Sequence, residues 1–179
     1  MYYNIVFLEG VRKIGKSSQL VLLKQEYSKK QSVMRFDFDS HFNSTELSSK
    51  IDELRNWCKE NPKGLALVNG SVAYSIVYQD LLHGKYGSSY AEFEIPIKNF
   101  FNLLKELKTI SILMKSNNYN YLEQRTDEVF NIVEYQQSYD GFMYFENSQI
   151  GYNFKWESVD ISQYDNILKI NEKIKKIIE

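Results

Sequence analysis

Residues 10–17 read Gly-Val-Arg-Lys-Ile-Gly-Lys-Ser, two glycines five positions apart followed at once by Lys16 and Ser17. That spacing is the pattern of a loop that cradles phosphate, and it constrains the fold because such a loop works only between a strand and a helix. Both flanks comply. Residues 4–9 form an apolar run ending in Glu9, and from Lys16 onward Leu20, Leu23 and Tyr27 recur at helical spacing. In this arrangement backbone N–H groups at the helix start face the anion, and the helix dipole favours negative charge there. Gly10, Lys13, Ile14, Gly15, Lys16, Ser17 and Ser18 are therefore the expected phosphate contacts. Lys16 would neutralise the β- and γ-phosphates of ATP, and the Ser17 hydroxyl would join the shell of Mg2+.

The rest of the chain repeats the same alternation. Short apolar runs separated by longer amphipathic stretches imply strands joined by crossover helices in a parallel sheet. Strands are expected at residues 4–9, 33–38, 65–69, 109–114 and 155–160, and helices at 16–30, 72–82, 95–107, 121–139 and 164–178. A second helix is expected to start at Ser44 or Thr45, ahead of an apolar period at Leu47, Ile51 and Leu54. No internal repeat or linker-like segment interrupts residues 1–179. One domain is expected, of α/β class, with five parallel strands and helices on both faces.

Composition narrows the partners. Lysine and arginine number 22 against 23 acidic residues, a formal net charge of −1, so no global field draws the chain to nucleic acid or an anionic membrane. Phosphate binding must be local. Cys58 is the only cysteine, and His41 and His83 are the only histidines, which gives no support to a disulfide or a His/Cys metal cluster. No apolar run approaches the roughly 20 residues of a spanning helix, and the first residues lack the marks of a secretory leader. A cytoplasmic location is the expectation.

Residues 5–20, with Glu9-Gly10 before the loop and Lys16-Ser-Ser-Gln19 after it, resemble the first strand, loop and helix of thymidylate kinases. Later pieces follow in that family's order. Arg35-Phe36 resembles its Arg-Phe-Pro, and residues 67–79 resemble the strand and helix that carry its Asp-Arg pair and an Ala-Tyr-Gln. Leu122-Glu-Gln-Arg125 with Asp127-Glu128 resembles its short arginine-bearing lid, placed near residues 115–128. The resemblance implies a P-loop nucleotide kinase fold and ATP-dependent phosphoryl transfer to a nucleoside monophosphate, a deoxynucleotide by analogy, and homodimers are common in that family. It implies a charge-neutralising role for Lys16 and a lid role for Arg125, and Arg12 or Lys13 would complete the charge clamp in place of cations the family has elsewhere. Acceptor contacts would come from Arg35, Phe36, Asp37, Asp39, Tyr74, Tyr78 and Gln79, and metal contacts from Ser17 and Asn69.

The departures all fall on the acceptor side. Arg12 stands where the family has an aspartate, Asn69-Gly70 replaces the Asp-Arg pair, and Asp37 and Asp39 stand where it has proline and arginine. Arg55 and Trp57 are loose candidates for reading a base. Because Asp37 and Asp39 alternate with Phe36 and Phe38, both carboxylates would share one face beside the loop. One of them could act as base for a hydroxyl acceptor, as in a nucleoside or polynucleotide kinase, or both could cap the connection to the next helix. Tyr74 and Tyr78 share a helix face, which suits either an acceptor base or core packing. Arg125 suits a lid or a surface ion pair with Asp127 or Glu128. A nucleotide-binding module without turnover is the third reading.

Overall fold

A computed structural model describes residues 3–40, 42–83, 91–123, 131–149 and 154–179. Five strands, β1 (Ile5–Glu9), β2 (Val33–Asp37), β3 (Leu65–Asn69), β4 (Thr109–Lys115) and β5 (Phe154–Asp160), form one sheet in the order β2-β3-β1-β4-β5. Every neighbouring pair is parallel. All five residues of β1 and of β3 are buried. Successive side chains of a strand point to opposite faces, so burial of consecutive residues means that helices cover both sides of the sheet.

The helices are α1 (Lys16–Tyr27), α2 (Ser44–Glu60), α3 (Val72–His83), α4 (Glu94–Glu106), α5 (Tyr119–Glu123), α6 (Ile132–Gln149) and α7 (Ile167–Ile178). Their starts are chemically marked. Asn43 accepts from the Glu46 amide while Glu46 accepts from the Asn43 amide, a reciprocal cap that starts α2 at Ser44 as expected but places the capping residue one position before that serine. Asn166 caps α7 by accepting from Leu168 and Lys169. α7 begins at Ile167 rather than at residue 164, because the preceding residues form a short 3-10 turn (Ile161–Gln163) capped by Asp160. The single helix expected over 121–139 is interrupted at Asn131, which is not helical and caps α6 by accepting from Val133 and Glu134. The residues between α5 and Asn131 lie outside the described set, and Arg125, Asp127 and Glu128 are among them. Part of the lid expected at 115–128, and His41, lie outside it too.

Two ties fix the elements that flank the loop. Gln19, buried on α1, donates to the Ile167 carbonyl at 3.0 Å and accepts from Asn171 at 2.9 Å, which docks α7 against α1. Gln136 on α6 both donates to and accepts from the Ser116 backbone, closing the exit of β4. Arg55 and Trp57 serve packing instead of base recognition. Arg55 bridges α2 to α4 through the Asn99 carbonyl and Glu106. Trp57 meets Phe36 edge-on and packs over Gly64, the residue before β3.

Candidate functional site: a glycine-bounded loop at the carboxyl edge

The connection from β1 to α1 turns back under the carboxyl ends of the strands, where an open α/β sheet binds ligands. Three of its residues have positive φ: Gly10 at 125°, Lys13 at 57° and Gly15 at 104°. A Cβ on Gly10 would sit 2.3 Å from the Met114 carbonyl oxygen, so only glycine allows β4 to approach so closely. Gly15 precedes α1 in the left-handed region and offers no side-chain cap to the first-turn N–H groups. Alternation of left- and right-handed backbone of this kind gathers amide groups into an anion-binding concavity.

Lys16 is curled into that concavity. Its amine donates to the carbonyls of Gly10 at 2.6 Å and Val11 at 2.8 Å, and lies 3.5 Å from Asp39. The side chain is 2% exposed. Burial lowers its pKa, and the negative charges of Asp39 and Glu9 offset part of that.

Glu9 completes the cluster from below. It is buried, neither carboxylate oxygen makes a hydrogen bond of good geometry, and burial pushes its pKa from 4.5 up to about 7. The Ser71 hydroxyl and the charge of Lys16 only partly offset that burial. Sequence reading valued Glu9 only as part of a Glu-Gly pair. The missed signal is an ionisable residue at the end of a strand whose other residues are all apolar, one position before the loop.

A second polar group borders the loop at the ends of β2 and β3. Asp37 Oδ1 accepts from Arg35 Nη2 at 2.6 Å and Nε at 3.1 Å, and from Asn69 Nδ2 at 3.0 Å. Arg35 Nη2 and Asn69 Nδ2 also approach the Ser17 hydroxyl, at 3.5 and 3.4 Å. Arg12, Lys13, Ser17 and Ser18 are exposed at the mouth of the loop, and Ile14 is buried beneath it. The loop thus brings Gly10, Lys13, Ile14, Gly15, Lys16, Ser17 and Ser18 together with Arg35, Asp37, Asp39 and Asn69.

The other acceptor candidates sit differently. Tyr74 has no exposed surface; it stacks on Tyr78 with ring centres 6.4 Å apart and meets Tyr135 of α6 edge-on. Phe36 is buried against Trp57. Tyr78 and Gln79 are half-buried on α3. On the other side of the loop a cavity of about 420 Å³ is lined by Ile14, Gly15, Ser18, Tyr121, Ile161 and Tyr164, among others. Asp160 holds its rim together. It accepts from the Asn117 side chain at 2.7 Å and from the Ser162 hydroxyl and amide at 2.6 and 3.0 Å.

The parallel five-stranded α/β fold, with its glycine-bounded loop between β1 and α1, is shared with solved nucleotide kinase structures. Among solved structures, the YorR protein of Bacillus subtilis in complex with phosphorylated GDP superposes with a TM-score of 0.63 at 15% identity, covering 98% of this chain and 95% of that one. Thymidylate kinase from Ehrlichia chaffeensis gives 0.59 at 12% identity, with 98% of both chains covered. Thymidylate kinase from Candida albicans gives 0.51 at 14% identity, covering 99% of this chain and 91% of that one. By sequence, no family model matches the chain and no curated protein matches it significantly. No helix among the described residues is long and apolar enough to cross a membrane.

Proposed function

We propose that this chain transfers the γ-phosphoryl group of ATP to a nucleoside monophosphate, with a deoxynucleotide as the first acceptor to test. The observation that carries this reading is the buried Lys16 amine, held inside the loop by the Gly10 and Val11 carbonyls. Phosphoryl transfer is catalysed mainly by positioning and by neutralising developing charge. Lys16 moves from those carbonyls onto the β- and γ-phosphates, the first-turn amides of α1 hold the phosphate oxygens, and Arg12 and Lys13 screen them from the open side. The cavity beside Gly15 is large enough for the nucleoside of the donor, and its mixed lining suits a base and ribose. Arg125, outside the described residues, is assigned the lid cation.

Mg2+ fits the residues present. Ser17 offers an exposed hydroxyl at the first turn of α1, and the Asp37 carboxylate stands beside it across the shared donors Asn69 Nδ2 and Arg35 Nη2. When bound, the ion supplies charge neutralisation on the phosphates and takes most of its remaining ligands from water.

A second reading has its own support. Asp39 lies beside Lys16, and its Oδ1 is buried without a hydrogen-bond partner, so an acceptor hydroxyl could give its proton to that oxygen. A coupled ADP-release assay over deoxynucleoside monophosphates, a nucleoside and a 5′-hydroxyl oligonucleotide separates the two. Turnover on a monophosphate supports the first reading, and turnover on a hydroxyl supports the second. Nucleotide binding without turnover on any acceptor leaves a binding module. Lys16→Met is expected to lower kcat/KM by roughly 10²-fold or more; an unchanged value removes the loop from the mechanism.

A further inference from the structure

The β2–β3 register places Asp37 directly beside Asn69 at the carboxyl edge of the sheet. Asn69 occupies the place where the resemblance implies a metal-facing carboxylate, yet what it turns toward Ser17 and Asp37 is its amide nitrogen. A primary amide nitrogen donates hydrogen bonds and cannot ligate a cation. The opposite rotamer would aim the amide oxygen at the Asp37 carboxylate, two acceptors facing each other, so the observed orientation is the one chemistry enforces. Its consequence is visible: Asn69 is 4% exposed and its Oδ1 has no hydrogen-bond partner.

The carboxylate that shares donors with Ser17 comes from the neighbouring strand. Asp37 Oδ1 and Ser17 Oγ flank the same two donors, Asn69 Nδ2 and Arg35 Nη2. The Asp37 side chain is 53% exposed and so open to a ligand, whereas Asp39 faces the buried Lys16 amine as its counter-ion. Among the described residues no group of three or more acidic, His or Cys side chains is placed to hold a cation alone. That suits an ion that arrives with a nucleotide, since Mg2+ in such sites takes one or two protein ligands and fills the rest with phosphate oxygen and water.

We propose that Asp37 supplies the carboxylate of the Mg2+ shell in this chain, and that Asn69 is the positioning residue that holds it beside Ser17. The negative charge has moved one strand across, from the end of β3 to the end of β2, with the amide left behind to orient it. Arg35 neutralises Asp37 while no cation is present. The inference rests on the nucleotide-binding reading of the loop.

Calorimetric titration of a non-hydrolysable ATP analogue, once with Mg2+ and once with EDTA, tests it. The wild-type chain is expected to bind more tightly with Mg2+. Asp37→Asn is expected to lose most of that gain, roughly tenfold or more in affinity, with its affinity in EDTA undiminished. Exchanging the pair, Asp37→Asn with Asn69→Asp, is expected to restore the gain by returning the carboxylate to β3. Asn69→Ala, which keeps Asp37 but frees it, is expected to lose part of the gain and serves if the aspartate variant does not fold. Mn2+ paramagnetic resonance gives an independent readout, with less nucleotide-dependent bound ion in Asp37→Asn. A full Mg2+ gain in Asp37→Asn, or its loss in Asp39→Asn instead, overturns this inference alone. A wild-type chain that binds the analogue under neither condition overturns the kinase reading, and this inference with it.

Discussion

Replacing Glu9 by glutamine should make the protein more stable at neutral and alkaline pH, although it alters a buried residue beneath the phosphate loop. The folded chain holds the Glu9 proton up to about pH 7, against 4.5 for the same group in the solvent-exposed unfolded chain. Between those two pH values the folded state binds more protons than the unfolded state, so stability falls as pH rises. The contribution is complete below pH 4.5 and gone above about 7. At about 1.4 kcal/mol for each pH unit, the interval corresponds to about 3 kcal/mol. Glutamine has nearly the same shape and never ionises, so the variant should show a flatter profile across pH 5–8 and a gain of up to about 3 kcal/mol at pH 8. Lys16 sets the upper limit, because it loses one neighbouring negative charge and keeps Asp39. Urea denaturation of both proteins at four pH values, without nucleotide, measures the difference. A variant whose stability falls with the wild-type slope, or that is less stable than wild type at pH 8, refutes the account of Glu9 as a carboxyl that burial keeps protonated.

Gly10→Ala forces a Cβ to 2.3 Å from the Met114 carbonyl at a φ of 125°. It should cost roughly 3 kcal/mol or more in a urea titration, and an unchanged midpoint would contradict the packing of β4 over the loop. The Cys58 thiol is buried and burial pushes its pKa up to about 12. It should therefore resist a disulfide reagent in the native protein and react only on unfolding; prompt reaction in buffer would contradict this. Asp160→Ala removes the acceptor that joins Asn117 to Ser162 and should raise the KM for ATP several-fold while changing kcat less, as steady-state kinetics would show.

The locally encoded parts of this protein were readable residue by residue. The β1–α1 loop is local in every respect: its glycines, its lysine and the apolar strand before it lie within residues 5–17, and the same residues set its positive φ angles and the entry to α1. β3 at Leu65–Asn69 emerged from the sequence with its observed bounds for the same reason, an apolar run bounded by Gly64 and Gly70. Boundaries decided by side-chain caps were less legible, because Asn43 and Asn166 compete with neighbouring polar residues as helix starts and geometry chooses between them.

What tertiary structure decided is which distant residues share the loop's surroundings. Asp37, Asn69 and Ser17 come from three elements, and only the parallel register of β2 on β3 and the turn into α1 bring them together. Tyr74 looked equally suited to a ligand or a core until α6 packed Tyr135 against it. Glu9 carried no sign of its perturbed proton in the sequence, since its pKa is set by burial that the whole sheet and its helices create together. Local chain chemistry specifies a loop, a strand or a cap; the charge state and partners of a buried side chain depend on atoms far along the chain, and those the sequence alone does not place.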